Sequence, residues 1–235
     1  MKIEKILEEF ERNKNPENIK GMQRFGIDPK KVFGLKIPFL RKMAKKLKKN
    51  HELALQLWEL GYRETMILAS MIDDPTLVTE NQIEKWFLSP YYSYWEVVDQ
   101  TCMNLLYLTD FAYTKAYEWS KREEEFVKRT AFSLIAVLAW KDKLAEDEKL
   151  ESFLPTIKQE STDERNNVKK AVNWALRQIG KRNSNLNSKA LKFAKEILDI
   201  DSKSAKWIAR DAIKELESEA VQNRLKKTKN ECLND

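Results

Sequence analysis

Apolar residues recur at spacings of three and four almost from end to end of this chain, and that rhythm leaves little room for anything but helices. Only five glycines and six prolines interrupt 235 residues, no stretch sustains period-two alternation, and the reading is all-α. A first helix is predicted over 2–13, and Pro16, Gly21, Gly26 and Gly34 then punctuate a short helix and a loop. Pro38 opens a helix with Leu40, Met43, Ala44 and Leu47 inward and Arg41, Lys42, Lys45, Lys46, Lys48 and Lys49 outward. Further helices are predicted near 51–60, 62–72, 77–88, 95–108, 111–120, 124–140, 145–160, 165–180, 188–199 and 202–218, with a polar tail over about 220–235 that frays.

The segments come in pairs, and the second members share a triplet. Arg63-Glu64-Thr65, Asp99-Gln100-Thr101, Lys128-Arg129-Thr130, Lys169-Lys170-Ala171 and Arg210-Asp211-Ala212 follow at intervals of 36, 29, 41 and 41 residues. Helix pairs at this loose period predict an α-solenoid of HEAT-like repeats, one domain over 1–235, whose inner helices line a concave groove. In that register Asp99 stands alone as an anion in a row of cations.

Charge bears on the partner. The net charge is +6, and from Pro29 to His51 there are nine Lys/Arg and no acid, as there are again from Arg165 to Lys195. Two acid-free basic windows fit a polyanion, although lysines solvating helix backs would leave the same trace. Two cysteines, Cys102 and Cys232, and a single histidine, His51, argue against a disulfide framework, a zinc site or a His-based triad. No apolar run approaches ~18 residues and the N-terminus is charged, so the expectation is a cytoplasmic protein with no membrane span, metal or cofactor.

Three places carry candidate residues. Trp95 and Asp99 are four apart, hence neighbours on one helix face, at the border of a stripe of Val97, Val98, Thr101, Cys102, Leu105 and Leu108. On 165–180, Val168, Ala171, Val172, Ala175, Leu176 and Ile179 form one stripe, and Lys170, Trp174, Arg177 and Lys181 fall on the other side. A tryptophan interleaved with cations suits nucleic acid, or else covers a neighbouring helix while the cations snorkel round it. On 124–140 the stripe is Val127, Thr130, Ala131, Leu134 and Leu138, with Arg129 directed away, beside Ser133 and Ala136. Arg129 either holds a phosphate or pairs with Glu125. Asp99 likewise either serves a site or bridges to a neighbouring cation.

The motifs Trp95-Glu96-Val97-Val98-Asp99, Val127-Lys128-Arg129-Thr130-Ala131 and Lys170 to Arg177 resemble, in order and over essentially the whole chain, the DNA alkylation repair glycosylases of the AlkD type. These are HEAT-like repeat proteins. The resemblance implies that Trp95, Asp99 and Trp174 surround the deoxyribose of a lesion, and that Arg129 and Arg177 hold the DNA backbone. Lys170 and Lys181 extend that basic face, and Phe25 stands where the family has a tyrosine, keeping the ring without the hydroxyl. It further implies a monomer acting on double-stranded DNA, nucleoid-associated when bound, that excises cationic N3- or N7-alkylated purines without flipping the base. A non-catalytic DNA- or RNA-binding solenoid and a protein-binding HEAT adaptor are the alternatives.

Overall fold

Helices account for every regular element among the described residues, which are 2–24 and 26–231 of the computed structural model, with side chains described through 227. They are α1 (Ile3–Arg12), α2 (Pro16–Gln23), α3 (Ile37–Leu47), α4 (His51–Glu59), α5 (Arg63–Ile72), α6 (Glu80–Phe87), α7 (Trp95–Asn104), α8 (Ala112–Ser120), α9 (Glu125–Lys141), α10 (Asp147–Glu151), α11 (Leu154–Gln159), α12 (Asn166–Gly180), α13 (Ser184–Leu198), α14 (Lys203–Leu216) and α15 (Glu219–Glu231). Asn15, Asn50, Thr79, Asn183 and Ser202 cap α2, α4, α6, α13 and α14, each accepting the backbone N–H three residues on. Pro16 and Pro38 sit in first turns, where a missing N–H goes unused.

The chain packs as two compact units, Met1–Asp110 and Phe111–Asp235. In the first, α3, α4 and α7 pack on α5, which is buried continuously from Arg63 to Ser70. The buried Glu64 carboxylate accepts the N–H groups of Phe33, Gly34 and Leu35 at 3.0, 2.9 and 3.1 Å, so it pins the loop before α3. Gly34 has φ +75°, and a Cβ there would stand 2.4 Å from the Asn15 carbonyl oxygen, so the position takes only glycine.

In the second unit α8 packs on α9 and α13 on α14, while α9, α12 and α14 lie side by side in succession. This is the stacking of inner helices expected of the repeat. Gly180 ends α12 where a Cβ would meet Leu216 at 2.7 Å and Ala190 at 2.9 Å, so glycine lets three helices close together.

Several boundaries differ from the sequence reading. The helix expected over 145–160 is two, α10 and α11, because Pro155 is accommodated only at the second position of a new helix. The helix expected to reach 108 ends at Asn104 and gives way to a 3-10 turn over Leu106–Leu108. That tighter turn rotates the pattern, so Leu106 is buried and Leu108 is 46% exposed. Gln100 is buried as well, with Asn104 donating to its side-chain oxygen at 3.2 Å. The tail does not fray at 220: α15 anchors through Val221 and Leu225, one turn apart and buried, and Arg224 donates to the Lys181 carbonyl at 2.6 Å. The five triplets begin at the first, fifth, fourth, fourth and eighth residues of α5, α7, α9, α12 and α14, so they do not share one distance from the helix start. At the fifth position of these helices stand Ile67, Asp99, Arg129, Lys170 and Trp207.

Candidate functional site

In the first unit, α7 starts at Trp95, whose indole is 40% exposed, and Asp99 lies one turn on, half-buried. The start of α7 is held by charge. Arg63, 1% exposed, donates through Nε to Glu96 at 2.7 Å and through Nη1 to Glu64 at 3.0 Å and the Leu35 carbonyl at 3.1 Å. Burial alone would lower the Arg63 pKa, but the hydrogen bonds and charges of Glu96 and Glu64 outweigh it and hold it above the ordinary value. Trp95 and Glu96 stand at the wall of an open cleft of about 500 Å³ that is largely apolar, lined also by Met22, Ile27, Leu35 and Pro38. Sequence reasoning passed over Arg63 and Glu96 as partners, since they lie 33 residues apart.

In the second unit the α12 stripe is as read: Val168, Ala171, Val172, Ala175, Leu176 and Ile179 are all buried. Lys170 is exposed, and Trp174 and Arg177 are half-buried. Arg177 is not an idle cation. It hydrogen-bonds Glu215 of α14 and lies 3.4 Å from Asp211, and Lys181 donates to Glu215 at 2.6 Å. Burial pushes the Glu215 carboxyl up, but Lys181 and Arg177 pull harder and hold it below the usual carboxylate range. A depressed pKa contributes stability that is present at neutral pH and lost as pH falls through that depressed value.

Glu215 therefore competes with any phosphate for two cations. If this face meets the phosphates of DNA, Glu215→Gln is expected to tighten binding and to make the slope of log K against log salt more negative by about one to two. Anisotropy titrations over a salt series read this, and an unchanged slope would mean that Arg177 and Lys181 meet no phosphate.

Arg129 is 5% exposed and donates through Nη1 to the Asn167 carbonyl at 2.7 Å, in contrast to the open position expected of it. The reason lies in α9, which is buried on every side from Val127 to Ala139, so that Ser133 and Ala136 face protein as Leu134 does. Glu125 is engaged by the Asn167 side chain at 2.8 Å, which joins α9 to the start of α12. Lys128, also buried, donates to Glu160 at 2.7 Å. Phe25 and Cys232 lie outside the described residues.

The DNA alkylation repair enzyme family matches residues 6–216 of this sequence. The chain belongs to that family. Its relatives include two uncharacterized proteins, of Listeria innocua and Listeria monocytogenes, 27% and 26% identical over 192 residues that cover 80% of this chain and 83% of each relative. Among solved structures, one described as a new family of proteins related to the HEAT-like repeat DNA glycosylases, with affinity for branched DNA structures, superposes with a TM-score of 0.80. It covers 96% of both chains at 23% identity, a likeness that establishes the fold. This member of the DNA alkylation repair family is thus an all-α protein of HEAT-like helical repeats, and its family places it in DNA repair.

Proposed function

We propose that the protein is a monofunctional DNA glycosylase that excises cationic N3- or N7-alkylated purines from duplex DNA. The observation that carries this reading is α7, where an exposed indole and a half-buried carboxylate sit one turn apart on a helix start fixed by the ion pair of Glu96 with the buried Arg63. An alkylated purine is already a positively charged leaving group, so its departure needs no proton donor. The chemical demand falls on the sugar as it acquires oxocarbenium character. Asp99 supplies opposite charge there, and Trp95, one turn away on the same helix, adds cation–π attraction of ~0.5–2 kcal/mol. The second unit, taken by itself, offers phosphate contacts: Lys170 directly, Arg177 and Lys181 by exchanging Glu215 for phosphate, and Arg129 by giving up the Asn167 carbonyl, with the half-buried Trp174 on the same helix as Lys170 and Arg177.

A second reading, binding without excision, is favoured by the affinity for branched DNA described for the solved structure of like fold. One experiment separates the two. The protein is incubated with methylated duplex and, in parallel, titrated with a four-way junction. Free N7-methylguanine or N3-methyladenine released from the duplex supports excision. Tight binding to either DNA with no free base over many hours would overturn it and leave the binding reading.

A further inference from the structure

α14 carries a face that the reading above does not use. At 100° per residue, Ala205, Ile208, Ala209, Ala212 and Leu216 form its buried stripe. Opposite them stand Lys203, Lys206, Trp207, Arg210 and Lys214, at i, i+3, i+4, i+7 and i+11. These five line a shallow depression of about 460 Å³, with Asp211 at its edge. Trp207 is 40% exposed, and Lys169 reaches across from α12 to place its Nζ 5.2 Å from the indole ring.

The surrounding acids do not close the face. Asp211 accepts from the Asn173 side chain at 2.6 Å and lies 3.4 Å from Arg177, so it is turned toward α12. Asp201 holds Lys206 at 2.8 Å from a fully exposed position, where such a pair is weak, and the exposed Glu217 only follows the helix end. Lys203, Arg210 and Lys214 make no ion pair among the described residues. A large aromatic surface left in water is unfavourable unless something covers it.

We propose that this face binds an unpaired nucleotide of DNA, with the base stacked on Trp207 and its flanking phosphates on Lys203, Arg210, Lys214 and Lys169. Cations alone would take any DNA. The indole adds selectivity, because bases inside a continuous duplex are already stacked on both faces and only an unpaired base has a ring face to offer. The face therefore distinguishes a gap, flap or branch point from unbroken duplex. It lies wholly on the second unit and does not depend on excision by Asp99.

The test uses the full chain and two labelled DNAs of equal length, a blunt duplex and a duplex with a single-stranded arm, titrated by anisotropy. Trp207→Ala is expected to weaken binding to the armed DNA by about tenfold or more, with much less effect on the blunt duplex. Trp207→Phe should retain most of the preference, and the double change Lys203→Glu, Arg210→Glu should weaken both DNAs and flatten the salt dependence. Equal losses on the two DNAs for Trp207→Ala, or no loss on either, would overturn the proposal. So would a Trp207-dependent complex with an acidic peptide in the absence of any difference between the DNAs. Circular dichroism of each variant confirms that the exposed substitutions leave the helices formed.

Discussion

Asp99→Asn is expected to slow release of the alkylated base by about a thousandfold while DNA binding is retained. The change keeps the size and planarity of the side chain and removes one negative charge. A carboxylate ~4 Å from a sugar cation, at an effective dielectric near 20, contributes about 4 kcal/mol, which is roughly three powers of ten in rate. That attraction strengthens as positive charge moves from the base to the sugar, so it lowers the barrier more than it tightens the ground-state complex. Single-turnover release gives the rate and anisotropy gives the affinity. Were affinity and rate to fall together, Asp99 would be a structural bridge between helices; were neither to fall, it would have no part in the reaction.

The second large effect is on stability. Glu64→Ala is expected to destabilise the first unit by about 3–5 kcal/mol, because it breaks a buried ion pair and strands its other partners. Three backbone N–H groups, of Phe33, Gly34 and Leu35, lose their acceptor, and Arg63 is left with Glu96 alone as its counter-charge. The loop before α3 and the first turn of α7 are both tied to this cluster, so the loss reaches Trp95 through Glu96. Urea unfolding followed by tryptophan fluorescence measures it. A cost below about 1 kcal/mol would mean that water satisfies these groups and that the cluster does not fix the start of α7.

The helical placement of most candidate residues was legible because its signals are local. The stripe of α12 needs only the 3.6-residue period, and the same period exposes Lys170 and sets Trp174 off the core. Trp95 and Asp99 are four residues apart and their placement follows from one helix. What escaped has a common physical cause, the packing of residues distant in sequence. A stripe template assumes one solvent face, and α9 has none over most of its length, so Arg129 read as open when Asn167 and its surroundings cover it. Arg177 read as a waiting cation because Glu215, its partner, is 38 residues away. The Arg63–Glu96 pair spans 33 residues, and neither partner carries a sign of burial in its own segment. Trp207 was within reach: its spacing with Lys203, Arg210 and Lys214 repeats the pattern that drew notice to Trp174.

The claim at the centre of this account is that catalysis comes from stabilising the sugar cation, with a leaving group already charged. The most direct measurement is single-turnover release from two duplexes of one sequence, one carrying a single N7-methylguanine and the other a single hypoxanthine, which is neutral. The expected result is release of N7-methylguanine and none of hypoxanthine. Comparable release of hypoxanthine, or a bound N7-methylguanine duplex that yields no base, would contradict it.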